Sequence, residues 1–433
     1  MAKVWVEVYG CSASVSDGEI IKGMLVNQGY KLAESFDDAD ASIIVTCIVK
    51  DATANRMVNR IRSLSSKPLV VAGCMAKAEP KRVERLNSKA SIVAPNAIDK
   101  ICTAVDSAIN GNRYIALDDS NINKVNLPRV RVNPVISIVQ IATGCLSDCT
   151  FCETKLAKGR LRSYKINDIV RQVSDDVKQG CKEVWLTSTD NGAYGFDIHT
   201  NIAELLKHVC SIDSDFMVRV GMMNPQYLQF IIDDLIEAYR DDKVFKFLHI
   251  PVQSGSNRVL RAMRRGHSVE RFIDIVKRFR KELGYCTIAT DVIVGFPTES
   301  YDDFKATIDL IKEVEPDVVN LSKYSARPNT YASRLKQLSK DVINERSAIM
   351  HDVVREVCYK RSMLWKGWEG YILVDEYASN GMQGRNYAYK PIYLHCNNNN
   401  NNDDDNSIIL GSKVKVRVID VTTHSLIAKV TAS

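Results

Sequence analysis

The sequence predicts an α/β protein in three parts: an N-terminal parallel α/β domain, a central (β/α) barrel, complete or partial, and a small antiparallel β-barrel at the C-terminal side. Three observations predict this. Short apolar runs alternate with amphipathic helical stretches from Lys3 to about residue 360, and that alternation implies parallel strands with helices packed on their faces. A polar stretch with two prolines, DDSNINKVNLPRVRVNP near 118–134, interrupts it and reads as a linker. After about Leu364 the texture changes to alternating, strand-like segments with few helix formers, the pattern of a small closed barrel.

The elements follow in order. KVWVEV (3–8) is a strand, and SDGEIIKGMLVNQGY, from Ser16, is a capped helix ending near Gly29. ASIIVTC and PLVVAGC are further strands, separated by the helical DATANRMVNRIRSL. The second alternation opens at VISIVQIATGC and continues through EVWLTS, FMVRVG, FKFLHIPV, TIATDVIVGF and DVVNLSKYS. Helical stretches such as INDIVRQVSDDVKQG and VERFIDIVKRFRKELG lie between them. Such (β/α) units place functional residues where strands end. GWEGYILVDEY, RNYAYKPIYLHC and SKVKVRVIDVTTHSLIAKVTAS make the terminal barrel, interrupted by the polar tract Asn397–Asn402 and Asp403–Asp405. That tract has no apolar side chain to bury and reads as a loop insertion. The expected domains are 1–118, 130–362 and 363–433.

Composition narrows the class. Of 433 residues, 45% are hydrophobic and 25% charged, which excludes a disordered chain, a collagen repeat or a coiled coil. No apolar run approaches the ~18 residues of a membrane span. The start, MAKVWVEVYGC, has neither an apolar signal core nor a small-residue cleavage site, so a cytoplasmic protein is expected. A formal net charge of +6 permits a nucleic-acid partner without demanding one.

The 12 cysteines carry the most information. In a reducing compartment, patterned cysteines point to metal binding or catalysis rather than disulfides. Cys145, Cys149 and Cys152 form a C-x₃-C-x₂-C loop after the first strand of the second alternation. Three thiolates on a short loop can bind three irons of a 4Fe-4S cube and leave the fourth open to a substrate. S-adenosylmethionine has an amino and a carboxylate group to offer that iron. Phe151 fits a ring packing over its adenine. A structural zinc site is the competitor, but it favours four ligands in paired units, and His199, His208 and His249 are scattered singly. Cys11, Cys47 and Cys74 each end a strand of the first alternation. Ligands of open α/β sheets bind at such ends, so adjacent strands would bring the three together. Three buried cysteines remain the alternative. Cys102, Cys181, Cys210, Cys286, Cys358 and Cys396 are unpatterned and read as inert.

At CLSDCTFC the chain resembles the radical S-adenosylmethionine superfamily. GCSASVSDGE, VTCIVKDATANRM and VAGCMAKAEP are similar to the N-terminal domain of the methylthiotransferases. RVGMMNP, HIPVQSGS, MRRGHS, TDVIVGFPTES and YSARPNTYAS resemble that family's barrel, and GRNYAYKPIYL resembles a TRAM domain, an RNA-binding barrel. The TK after the cysteine loop and KGRLRSY look like the archaeal and eukaryotic branch, which acts on N6-threonylcarbamoyladenosine beside the anticodon of tRNA. Ser14 stands where the family usually has Asn, Ala54 where an acidic residue is common, and the Asn tract is an insertion.

The resemblance implies a tRNA methylthiotransferase with two 4Fe-4S clusters and S-adenosylmethionine. Cys11, Cys47 and Cys74 would hold an auxiliary cluster that carries the sulfur. Cys145, Cys149 and Cys152 would hold the radical cluster. One S-adenosylmethionine would methylate sulfur and a second would make a carbon radical that attacks carbon 2 of the adenine. An aromatic C–H is beyond side-chain acid–base catalysis, which contributes roughly 10²–10⁴-fold, so the cofactors carry the hard step. The tRNA anticodon stem-loop, an electron-donor protein and a sulfur source are the expected partners. Isopentenyl-adenosine tRNA or a ribosomal-protein aspartate are alternative substrates, and a non-enzymatic, metal-containing RNA-binding protein is the other class.

Further candidates follow from position. Ser188 and Asp190, after a barrel strand, and Arg219, on another, are expected to meet the S-adenosylmethionine ribose, methionine moiety or carboxylate. Local loop bonds or ion pairs are the alternative for each. His249 and Gln253 are expected to line the cavity. Lys155, Lys158, Arg160 and Arg162 form one basic group, and Arg261, Arg264 and Arg265 a second, each suited to tRNA phosphates. Lys277, Arg278, Arg280 and Lys281 read as a solvated helix face. Lys413, Lys415 and Arg417 alternate on one strand and share a face.

Overall fold

The computed structural model describes residues 1–48, 51–379, 381–395 and 408–431, with the backbone alone at 51–54 and 395. Cys396, the Asn397–Asn402 and Asp403–Asp405 tract and the Ala54 side chain lie outside the described residues. Strands β1 (Lys3–Val8), β2 (Lys31–Leu32), β3 (Ala41–Thr46), β4 (Leu69–Gly73), β5 (Ser91–Val93) and β6 (Ile115–Ala116) form one sheet in the order β2-β1-β3-β4-β5-β6. Every pairing in it is parallel. β3 and β4 are buried along their whole length, as strands covered on both faces must be. Helices α1 (Ser12–Asn27), α2 (Asp51–Ser63), α3 (Cys74–Ala78), α4 (Pro80–Leu86) and α5 (Ile101–Ile109) connect the strands.

Helix α1 begins at Ser12, four residues before the expected cap at Ser16, with Cys11 as its N-cap residue. The reason is where its polar residues go. Ser14, Ser16, Asp17 and Glu19 are buried, because this turn packs on the barrel and not on water. Ser16 Oγ donates to the Ile138 carbonyl (3.0 Å), and Gln140 Nε2 donates to Asp17 (2.7 Å). Ser16 and Asp17 thereby gain partners for their buried polar groups.

The stretch 118–134 joins β6 to the barrel without helix or strand, but it is a packed strap rather than a free linker. Val125 enters the core of the barrel. Lys124 Nζ meets Asp17 at 2.6 Å, with both side chains buried. Val130 and Val132 donate their N–H groups to the Glu19 carbonyl and carboxylate, at 3.0 and 2.9 Å.

The barrel is partial. Its strands are β7 (Ile136–Gln140), β10 (Glu183–Thr187), β11 (Met217–Val220), β12 (Phe247–His249), β13 (Thr287–Val294) and β14 (Val318–Lys323), while β8 (Ala142–Thr143) and β9 (Arg162–Ser163) pair beside it. Two parallel three-stranded sheets, β11-β10-β7 and β12-β13-β14, are joined by a bridge between Val218 and Val244. Val184, Leu186, Val218, Val220 and Leu248 pack outward against the helices. Their alternates Trp185, Arg219 and Phe247 point into the lumen, as a period of two requires.

A long helix, Lys340–Met363, leads to the C-terminal barrel. There β15 (Glu369–Ala378), β16 (Gly381–Arg385), β17 (Pro391–His395), β18 (Lys413–Val421) and β19 (Leu426–Val430) close in the order β15-β16-β17-β19-β18, leaving no edge strand. All pairs are antiparallel except β17–β19, which is parallel. The long connection after β17 breaks the simple hairpin order, so the final strand runs alongside β17 in the same direction. This barrel stoppers the N-terminal end of the larger one. Tyr389 is buried with its ring 4.9 Å from Phe245 and 5.1 Å from Phe247. Lys390 Nζ and Arg361 Nε reach the buried Asp317 at 3.0 and 3.3 Å.

Candidate active site

β1, β3 and β4 are neighbours in the sheet, and Cys11, Cys47 and Cys74 follow their C-terminal ends. The residues just before the last two, Thr46 and Gly73, are register partners. Gly10 holds φ at +122°, and a Cβ there would lie 2.6 Å from Cys47 Cβ, so glycine is what lets the first cysteine turn approach the second. The trio therefore assembles at one sheet edge, as adjacency of the strands would require.

Electrostatics ties the trio to the barrel. Burial and the neighbouring Cys11 and Cys47 push the Cys74 thiol up to about 12, against the pull of Lys158. Crowding by protein atoms raises Cys11, but Lys158, the Ser14 and Ala13 N–H groups and the Ser14 hydroxyl outweigh it and bring the thiol below its ordinary value. Ser14 Oγ lies 3.7 Å from Cys11 Sγ, so serine supplies a hydrogen-bonding group at the position where the resemblance led us to expect asparagine.

The second trio sits on the loop between β8 and β9. Gly144 (φ +73°) lets the chain pass the Arg160 carbonyl, which a Cβ would meet at 1.8 Å. Cys145 N–H then donates to the Gly159 carbonyl (3.1 Å). Lys155 Nζ staples the loop to itself through the Cys145 and Ser147 carbonyls (2.5 and 3.1 Å). Thr150 bonds across to Met263 and Ala262, both at 3.0 Å. Arg265 Nη1 donates to Cys149 Sγ at 3.5 Å. Burial and Asp190 push Cys145 up to about 12. Burial also raises Cys149, with Arg265 opposing.

A cavity of about 630 Å³ opens beside the second cysteine loop, within the usual range for small-molecule sites. Its wall includes Ile48, beside Cys47, together with Phe151 and Cys152 from the loop. His249, Gln253, Asp291, Asn320, Lys323 and Arg327 come from the strand ends and the turns after them. His249 Nε2 and Asn320 Nδ2 lie 3.0 and 2.8 Å from Asp291 Oδ1. Gln253 is held at φ +74° by two backbone bonds to β13, while its buried Oε1 has no partner among the described residues.

Phe151 packs on Val259, Met263, Phe296 and Tyr324 and still lines the cavity. Asp190 is buried and accepts from the N–H groups of Gly192 and Asn224 (3.0 and 2.9 Å). Burial pushes it up to about 6. It faces the cysteine loop, to which Asn224 ties it through Ser147 Oγ (3.1 Å). Ser188 Oγ bonds Asn191 Oδ1 at 3.1 Å. Arg219 lies apart from them. Its guanidinium stacks on Trp185, Phe247 and Tyr389, 5.1–5.3 Å from their centroids, at the stoppered end.

The basic groups also sort themselves. In the first, Lys155 is spent on the loop and Lys158 is buried. Arg162 bonds Asn121 (2.6 Å), and Arg160 is left exposed. In the second, Arg265 belongs to Cys149, while Arg261 and Arg264 are exposed, the latter 5.1 Å above the Tyr331 ring. Arg278 pairs with Asp233, and Arg280 caps the Val314 and Glu315 carbonyls. Lys413 is held by Asp215 at 2.5 Å, and Arg417 meets Glu369 at 3.4 Å. Burial and self-contained bonds are invisible in a count of charges. Cys102, Cys181, Cys210, Cys286 and Cys358 are free thiols outside both trios, four of them buried.

Among the described residues no three His, Cys, Asp or Glu side chains gather closely enough to hold a single metal ion. Mononuclear zinc needs that convergence, whereas a cube spreads its thiolates over separate irons.

The Radical SAM superfamily matches residues 139–311, and the Uncharacterized protein family UPF0004 matches residues 3–94. The chain is 41% identical to the probable threonylcarbamoyladenosine tRNA methylthiotransferase of Pyrococcus horikoshii, over 86% of this chain and 89% of that one. Its counterpart in Methanothermobacter thermautotrophicus is 36% identical over 98% and 99%. The threonylcarbamoyladenosine tRNA methylthiotransferase of Homo sapiens is 37% identical over 80% of this chain and 61% of its own. In fold, the radical S-adenosylmethionine methyltransferase TsrM from Kitasatospora setae superposes with a TM-score of 0.56 over 77% of each chain, at 13% identity.

Proposed function

Because the chain belongs to the threonylcarbamoyladenosine tRNA methylthiotransferase family, we propose that it places a methylthio group on carbon 2 of N6-threonylcarbamoyladenosine beside the anticodon. The observation that supports this reading is a cavity lined by Phe151 and Cys152 of the second cysteine loop and by Ile48, the neighbour of Cys47 in the first trio. Cys145, Cys149 and Cys152 would hold the radical cluster, and Cys11, Cys47 and Cys74 the auxiliary one. Both donor sets suit a cube: three thiols each, with glycine turns that bring them in. When bound, the two clusters and S-adenosylmethionine supply electron delivery, radical chemistry and sulfur.

The protein's own residues position and enclose. Phe151 offers an aromatic face beside Cys152, and Gln253 offers an unpartnered amide oxygen at the cavity wall. Ser188 and Asp190 stay candidates for the cofactor's polar groups through their place beside the loop. Arg261, Arg264 and Tyr331 form an exposed basic and aromatic group near the loop, suited to the phosphates and splayed bases of an anticodon stem-loop. The working units are 1–118 for the auxiliary cluster, 130–362 for the radical cluster and 363–433 for RNA. An electron-donor protein and a sulfur source complete the partners. No helix among the described residues is long and apolar enough to cross a membrane. A reducing cytoplasm suits its free thiols.

The test is anaerobic reconstitution of two variants. Cys149→Ala is expected to abolish deoxyadenosine formation. Cys47→Ala is expected to retain some uncoupled cleavage and to lose sulfur insertion. Equal loss in both overturns separate roles. Mass spectrometry of tRNA nucleosides from a deletion strain decides the substrate: an unchanged methylthio-threonylcarbamoyl nucleoside overturns it, and loss of the isopentenyl counterpart identifies the other substrate.

A further inference from the structure

Lys158 is the last residue of the short helix α6 (Thr154–Lys158), directly after the radical-cluster loop. Its helix packs against the other trio. Ala157 packs in one cluster with Cys47, Cys74 and Met75. The Lys158 carbonyl accepts from the buried Asn96 Nδ2 (3.1 Å), and the next carbonyl, Gly159, accepts from Cys145 N–H (3.1 Å). One peptide thus fixes this lysine between the two sites. The residue is 5% exposed. Its ammonium has no hydrogen bond or ion pair among the described residues. The charges that act on it are the thiols of Cys74, Cys11 and Cys47 together with Asp17.

An ammonium taken out of water and left unpaired is costly, so a counter-charge is needed. Asp17 does not serve, since it already holds Lys124 at 2.6 Å. The thiolate trio does. Three thiolates on an oxidised cube leave a net negative charge, and an added hydrosulfide deepens it. We propose that Lys158 is a positioning residue of the auxiliary site, whose fixed positive charge holds an anionic sulfur ligand, hydrosulfide or a thiolate, against the open corner beside Cys11, Cys47 and Cys74. This rests on the two-cluster reading above. It gives the lysine a task distinct from the phosphate contact that its place in a basic run suggests.

The experiment uses the anaerobically reconstituted full chain, Lys158→Met and Lys158→Arg, with sodium hydrosulfide as the probe. Iron per chain, the midpoint potential of each cluster and the hydrosulfide dependence of the auxiliary electron paramagnetic resonance signal are read. Lys158→Met is expected to weaken half-saturation by about tenfold or more, as loss of a close buried charge implies, and to lower the auxiliary midpoint alone. Lys158→Arg is expected to restore both. Loss of auxiliary iron in the Met variant, with retention in the Arg variant, also supports a role for charge. Unchanged half-saturation and midpoint in Lys158→Met, or equal iron loss in both variants, overturns the proposal. A wild-type chain with only one cluster instead overturns the reading beneath it.

Discussion

The Ser12 and Thr187 hydroxyl oxygens lie 2.8 Å apart. The first directly follows Cys11, and the second ends barrel strand β10. This hydrogen bond joins those of Ser16 with Ile138 and of Gln140 with Asp17 in holding the N-terminal domain against the mouth of the barrel. Without that docking, Ile48, the neighbour of Cys47, would not share a cavity wall with Phe151 and Cys152.

Gly144→Ala is expected to destroy the second trio alone. A Cβ there collides with the Arg160 backbone at 1.8 Å, and the φ of +73° is unfavourable for alanine. Iron is expected to fall from about eight toward about four per chain, the content of two cubes and of one. Deoxyadenosine formation falls with it. Full iron content in this variant would contradict the assignment.

Glu183 gives the fold a pH dependence. Burial first, then the Asp375 carboxylate, pushes it up to about 7. A carboxyl raised in the folded state favours the protonated fold, so its stabilising effect is present at low pH and is lost as pH rises through about 7. Stability in urea is expected to drop by roughly 1–3 kcal/mol between pH 6 and 8.5. Glu183→Gln, which keeps the shape without the charge, is expected to flatten that profile.

Asp317→Ala strikes the seam between the two barrels. It strands the largely buried Lys390 and Arg361, which now meet the carboxylate at 3.0 and 3.3 Å. Removing one member of a buried ion pair costs about 3–5 kcal/mol. Denaturant unfolding should register that loss, and limited proteolysis should release the C-terminal barrel earlier.

Exposed and engaged cations should part in a salt titration. Arg261→Ala with Arg264→Ala is expected to make the dependence of log affinity for tRNA on log salt shallower by about 2, one per phosphate contact. Lys277→Ala with Lys281→Ala is expected to leave the slope unchanged. Lys277 already leans on Glu313 at 3.5 Å.

The fold was legible wherever local pattern and tertiary role agree. β3 and β4 are continuous apolar runs because both faces are covered, and the cysteines after them converge because β1, β3 and β4 are adjacent. The start of α1 was hidden because its first turns carry buried polar residues, of which Ser16 and Asp17 pair with barrel groups and Glu19 with the strap, partners that sequence cannot place. The strap 118–134 looked like a spacer for the same reason: Lys124 is polar by type and fully buried by context. Arg219 was drawn to the cofactor by its place on a strand, yet aromatic faces from β10, β12 and the C-terminal barrel hold it at the opposite end. Lys158 was legible as a charge and not as a neighbour of three thiols.

With Tyr389 filling one end of the lumen, the working space becomes a cul-de-sac. On the proposed function, small and large reactants would then approach from the other end, so the order of arrival matters. Whatever enters first is trapped beneath whatever comes second, and spent fragments wait for the bulky guest to leave. The proposed reaction, with two molecules of the same reagent per cycle, would then have to reload from that end, and its pace would be set by traffic as well as by bond-making.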